Sequence, residues 1–182
     1  DWDTPQTVTV TGVNDDVDDG DIAYTIVTGP AASADGNYNN MDADNVSAAN
    51  TDDDTAGITV NPTGGLTTTE TGGTAQFTVV LNSEPTADVT IAVSSSDTSE
   101  GTVSTAVLTF TPADWDTPQT VTVTGVNDDV DDGNIAYTII TAAASSADGN
   151  YNNLDADNVG VTNTDDDTAG ITVNPTSGLT TT

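Results

Sequence analysis

Residues 1–69 return as residues 114–182 without a gap, at an offset of 113, and only ten of the 69 positions differ. Most of the differences are mild, such as Val27/Ile140, Met41/Leu154 and Asp21/Asn134. A period of this length is too long for one turn of a solenoid and suits one small domain. The segment Asp52-Asp53-Asp54-Thr55-Ala56-Gly57 recurs as Asp165-Asp166-Asp167-Thr168-Ala169-Gly170, and we place the repeat boundary after each Asp triplet. Residues 55–167 are then one complete repeat. Residues 1–54 are the C-terminal part of the preceding one, with its last three strands, and residues 168–182 are the first strand of the next. The expected setting is a longer tandem array. The other arrangement is strand exchange, in which neighbouring chains complete each other's repeats.

Leu, Ile, Val and Phe make up 35 of the 182 residues. That is about 19%, a level that together with high net charge normally marks a disordered chain. The order of the residues argues the other way. Short runs rich in β-branched residues alternate apolar with polar and are separated by Gly, Pro, Asn and Asp. Seven are expected in the complete repeat, at residues 58–61, 74–82, 88–94, 105–111, 119–126, 134–141 and 159–164. The predicted inward faces carry Phe77, Val79 and Leu81, then Val89, Ile91 and Val93, Leu108 and Phe110, Val121 and Val123, Ile135, Tyr137 and Ile139, and Val159 and Val161. No useful helical periodicity occurs. The predicted fold is all-β, a seven-stranded antiparallel β-sandwich of immunoglobulin-like type, repeated every 113 residues.

The chain has 30 acidic residues and no Lys, Arg, His or Cys, for a formal net charge of -30. Binding to nucleic acid phosphates needs cationic side chains. Ser–His pairs, thiol nucleophiles, Schiff-base lysines and disulfides are equally excluded. No internal cation can offset carboxylates that the fold brings together.

If neighbouring strands run antiparallel, four acidic segments fall at one end of the sandwich. They carry Glu70, then Asp97 and Glu100, then Asp128, Asp129, Asp131 and Asp132 after Asn127, and finally Asp165, Asp166 and Asp167. The partial first copy contributes Asp15, Asp16, Asp18 and Asp19 with Asp52, Asp53 and Asp54. Converging like charges repel unless a cation lies between them. Oxygen-only ligands suit Ca2+, which takes six to eight of them; the competing reading is a solvated acidic surface. At the opposite end, Glu84, Asp88, Asp114 and Asp116 are expected beside the connection that follows residue 141, and the preceding repeat's Asp52–Asp54 should enter there. That connection holds a weaker candidate, Asp148, Asn150, Asn152, Asp155 and Asp157, with Asp35, Asn37 and Asn39 as first-copy counterparts. Its first half has the alternating oxygens of an EF-hand loop, but it lacks the Gly at position six and the Glu at position twelve. The alternative is an Asn/Asp-rich turn held by its own side chains.

These features together resemble the Calx-β domain of sodium–calcium exchangers and long bacterial surface proteins. The resemblance rests on Gly57-Ile-Thr-Val60, Glu70 before Gly72–Leu81, Ser94–Thr102, Leu108–Pro112, Gln119–Asn127 leading into Asp128-Asp-Val-Asp-Asp132, and Asn158–Asp167. It implies a sandwich that binds several calcium ions at one pole. Glu70, Asp128, Asp132 and Asp165–Asp167 would be ligands with the Val130 carbonyl, and Asp97 or Glu100 would complete them. Asn127 stands where the family commonly has Asp. The Pro-Ala-Asp-Trp115-Asp-Thr-Pro-Gln segment resembles the bacterial tandem version.

The function expected is structural and non-enzymatic: a calcium-stiffened extracellular or cell-surface module serving as a bacterial stalk, adhesin shaft or filament. Its partners would be neighbouring repeats of the same chain, or other copies in a filament. Absence of Lys and Arg also removes trypsin cleavage sites. The alternative is a carbohydrate- or cell-surface-binding module using Trp2/Trp115, Tyr38/Tyr151 and Tyr24/Tyr137. Tyr137 is expected in the core, and Trp115 as a plug against the neighbouring repeat or as an exposed stacking residue.

Overall fold

The computed structural model describes residues 2–182, and among them there is no helix. The strands are β1 (Ile22–Ile26), β2 (Val46–Asn50), β3 (Ile58–Asn61), β4 (Leu66–Thr69), β5 (Thr74–Leu81), β6 (Val89–Ser95), β7 (Gly101–Val103), β8 (Val107–Phe110), β9 (Gln119–Gly125), β10 (Ile135–Thr141), β11 (Ser145–Ser146) and β12 (Val159–Thr164). One sheet has the order β3-β5-β9-β7. The second has the order β11-β6-β10-β12-β4, with β8 also paired to β6. Their inner faces form a single core in which Phe77, Val79, Val121 and Val123 of the first sheet meet Val89, Ile91, Phe110, Ile139, Val159 and Val161 of the second. These are the alternate positions of each strand, as the pleat requires. Ile135 is the one expected inward residue of its strand that stays half-exposed.

Ten strands, not seven, lie between Ile58 and Thr164. Two of the expected seven strands gain a second segment outside their expected bounds, β4 after β3 and β7 before β8, because the chain changes sheets between the two segments. After β3, Pro62 removes a ladder donor and Gly65 takes a positive φ of 75°, which only glycine adopts readily. The chain then crosses to β4, which pairs with β12 in parallel, Val161 opposite Leu66 and Thr164 opposite Thr69. The expectation of a purely antiparallel sandwich is corrected here. The second change of sheet follows β7, which pairs with β9. The Ser104 N–H still donates to Thr122 in that sheet (2.8 Å), and by Ala106 the carbonyl accepts from Val93 in the other (2.9 Å). The third addition, β11, is a two-residue pairing with β6 in the connection after β10.

The partial copies follow the same rules with fewer partners. Of the three strands expected in residues 1–54, two form, β1 and β2, paired antiparallel. Residues 6–12 repeat the β9 sequence without forming a strand. β9 is held by β5 and β7, and the sequence before residue 55 holds a counterpart of neither. Residues 168–182 likewise form no strand. Their Ile171 is 95% exposed, whereas Ile58 at the matching position packs against the core.

Candidate metal centre

Strand direction decides where the acids go. β4, β6, β9 and β12 all run toward one pole, as their pairings with β12, β10, β5 and β10 require. Each ends on an acidic segment, and Glu70, Asp97–Glu100, Asp128–Asp132 and Asp165–Asp167 converge there. Two clusters form, each with carboxylate oxygens within 4.8 Å of one another: Glu70 with Asp165 and Asp167, and Glu100 with Asp128 and Asp132. Glu70 and Glu100 are buried, 3% and 6% exposed. Glutamate is almost never buried without a counter-charge or hydrogen bonds.

The support beneath Glu100 was not legible as a site residue. Asn163, 1% exposed, directs its Nδ2 to the Glu100 Oε2 at 3.4 Å and donates to the Val126 carbonyl at 3.0 Å. Its Oδ1 accepts from the Thr68 hydroxyl at 2.9 Å, and that hydroxyl also meets the Tyr137 hydroxyl at 3.0 Å. The network ties β4, β10 and β12 to the floor of the pole. One sequence signal could have revealed it, since Asn163 continues the inward alternation of Val159 and Val161 with a polar group. One of these bonds recurs in the first copy, where Asn50 donates to the Val13 carbonyl at 2.7 Å.

Electrostatics at this pole are unfavourable as they stand. Burial and the charges of Asp166, Asp129, Asp165 and Asp128 push the Asp167 carboxyl above the ordinary carboxylate range. Its Oδ2 is buried without a hydrogen-bond partner. Glu70 accepts the Asp166 N–H at 3.2 Å, which favours its charged form. Burial and the charges of Asp165, Asp128 and Asp166 outweigh that bond and raise its pKa. In the first copy Asp54 is raised by burial and by Asp53, Asp16, Asp52 and Asp15. An orphaned buried carboxylate oxygen among all-oxygen donors fits a hard divalent cation such as Ca2+.

The other expected ligands take separate places. Asp97 caps its own turn, accepting the Ser99 N–H at 3.0 Å and the Ser99 hydroxyl, and these bonds hold its pKa low. Of the two alternatives in that loop, Glu100 is the one in a cluster. Asp129, Val130 and Asp131 line a shallow recess with Asp167. Asp131 accepts the Ala169 N–H at 2.7 Å, and Asp166 is exposed. Asp15, Asp19 and Asp52–Asp54 line one concavity, and Asp16 and Asp18 face the next repeat.

The first half of the EF-hand-like segment has its oxygens engaged as a turn. Asp148 is 7% exposed and accepts the Thr86 N–H at 2.7 Å and the Asn150 N–H at 2.9 Å, one on each carboxylate oxygen. Burial alone would raise its pKa; the Thr86 and Asn150 bonds outweigh burial and lower it. Asn152 Oδ1 accepts from Ser146 at 3.4 Å, while the Asp155 and Asp157 carboxylates are exposed. Asp35 and Asn39 make the equivalent turn bonds, to the N–H groups of Asn37 and Ser33. Tyr151, expected as a surface aromatic, is 1% exposed with its hydroxyl bonded to Ser83. Trp115 is half-buried and packs against the core of its own repeat.

No protein-family model matches the sequence, and no curated protein matches it significantly. Solved structures similar to it include the apo-form Calx CBD1 domain, at 19% identity and a TM-score of 0.47, covering 60% of this chain and 96% of that one. Calcium-binding domain CBD12 of CALX1.1 is 19% identical with a TM-score of 0.48, over 62% of this chain and 47% of that one, so the match spans about half of its length. Domains 4 and 5 of the S-layer protein SbsC are 21% identical with a TM-score of 0.38, over 66% of this chain and 59% of that one. The fold and site define an all-β protein of two packed sheets with an acidic pole.

Proposed function

We propose that the chain is a structural calcium-binding module of a bacterial extracellular or cell-surface protein. Its 113-residue Calx-β-type sandwiches are joined in tandem as a stiff stalk, adhesin shaft or filament. One observation carries the reading: two clusters of carboxylates, each with a buried glutamate, share a pole in a chain that has no cationic side chain. Glu70, Asp165 and Asp167 would hold one ion, and Glu100, Asp128 and Asp132 another. Repulsion makes the metal-free pole costly, so bound Ca2+ adds stability by mass action, about 2.7 kcal/mol per site at 100-fold above its Kd.

Thermal melts of the full chain with calcium, with magnesium and with EDTA test this. Calcium alone should raise the midpoint by ten degrees or more (roughly 2–8 °C per kcal/mol for domains of this size). An unchanged midpoint in EDTA would show that the acids are solvated surface and would remove the calcium reading.

A further inference from the structure

The sequence Asn-Asp-Asp-Val-Asp-Asp-Gly occurs twice, at residues 14–20 and 127–133. The two copies meet different surroundings within one molecule. The first copy sits against the opposite pole of the complete repeat. There the Asp16 carbonyl accepts the Glu84 N–H at 2.6 Å, an Asp18 carboxylate oxygen accepts the Ala56 N–H at 2.8 Å, and the Asp18 carbonyl accepts the Asn150 side-chain amide at 2.6 Å. Val17 and Asp18 are half-buried by this contact, whereas Val130 is 58% exposed and Asp131 is exposed.

All three donors are amide N–H groups, which suit an acidic loop in a protein without cations. Asn150 is held ready for the contact. Its own N–H is fixed by Asp148, and Tyr151 next to it is anchored in the core through Ser83. The second copy has begun the same pattern, because Asp131 accepts the Ala169 N–H at 2.7 Å as Asp18 accepts that of Ala56.

We infer that Asp129–Val130–Asp131 is a docking surface for another copy of this repeat, received by the pole that carries Ala56, Glu84 and Asn150. The Asp148–Tyr151 turn is therefore an inter-repeat receptor. Because the contact consists of backbone and amide hydrogen bonds, it fixes one register at every junction and needs no metal.

Amide hydrogen exchange followed by NMR, on the full chain in EDTA and again in calcium, tests the existing junction. In both conditions the Glu84 and Ala56 N–H groups should exchange roughly tenfold or more slower than exposed amides. Asn150→Ala should release Glu84 several-fold and leave the core amides of Val79 and Ile139 unchanged. Glu84 and Ala56 exchanging at exposed rates in EDTA, or unaffected by Asn150→Ala, would overturn the clamp. Failure of the calcium reading would appear separately, as a midpoint that ignores calcium.

The free surface is tested by appending a second copy of residues 70–182 after Thr182, which completes a following repeat. Paramagnetic co-solute should then relax the Val130 methyls no faster than those of Val17. Val130 remaining as accessible as in the 182-residue chain would overturn the docking surface.

Discussion

Glu100 and Asn163 show how single residues carry opposite requirements at this pole. Glu100 is buried close to Asp128 and Asp132, and among the described residues the side-chain hydrogen bond it accepts comes from the Asn163 amide. Replacing Glu100 with Gln removes a repelling charge while keeping the shape. Without metal, Glu100→Gln should therefore melt higher than the wild type. With calcium it loses a ligand oxygen of full charge, so the concentration needed for half-maximal stabilisation should rise on the order of tenfold or more, the scale of changes made around metal sites. Paired melts in EDTA and across a calcium series measure both signs. A variant that melts lower in EDTA, with the same calcium response as the wild type, would identify Glu100 as a purely structural group.

Elements set tolerances that residue type alone does not. Gly125 ends β9 where a Cβ would run into the Thr69 carbonyl and the Asn163 side chain, whereas a Cβ at Gly149 meets nothing within 4 Å. The obstacle at Gly125 is backbone and cannot rotate away. Gly125→Ala should cost about 1–3 kcal/mol in urea unfolding, and Gly149→Ala should lie near the wild type. The Asp148 turn gives a pH-dependent prediction. Its folded-state pKa lies below the ordinary carboxylate value, so the folded protein binds fewer protons there than the unfolded chain. Its stabilisation is complete above the ordinary value and is lost as pH falls through the lowered one. Asp148→Asn turns an NH2 group toward one of the two N–H donors and should cost about 1–3 kcal/mol near neutral pH. The gap between variant and wild type should close on acidification, read from urea midpoints across the pH series.

At the scale of the whole molecule, cooperative stability resides in the complete repeat, where every core residue lies. The partial copies keep local structure but little burial: Val8 is 80% exposed and Leu179 77%. Any shift of the unfolding midpoint by calcium should therefore report on residues 55–167, where the acidic pole and the core belong to one sandwich. The amide clamp between repeats adds a connection that the metal does not supply. A shaft built from these units would keep its register in EDTA while its poles loosen.

Sequence by itself determined the period of 113, the strand regions with their inward residues, and the gathering of four acidic segments at one end. Each follows from local rules, since pleat alternation has a fixed period of two and antiparallel succession sends alternate loops to the same pole. Tertiary structure alone decided the rest. It chose Glu100 over Asp97, because a short turn lets Asp97 reach its own Ser99. It turned the first half of the EF-hand-like segment into a turn with both Asp148 carboxylate oxygens already bonded, and it buried Tyr151. It also gave two strands a second segment in the other sheet and made β4 parallel to β12, a pairing between residues nearly a hundred positions apart. The residues 6–12 carry the β9 sequence and form no strand, because a strand's pattern gains its burial and its ladder only from neighbours that the sheet provides.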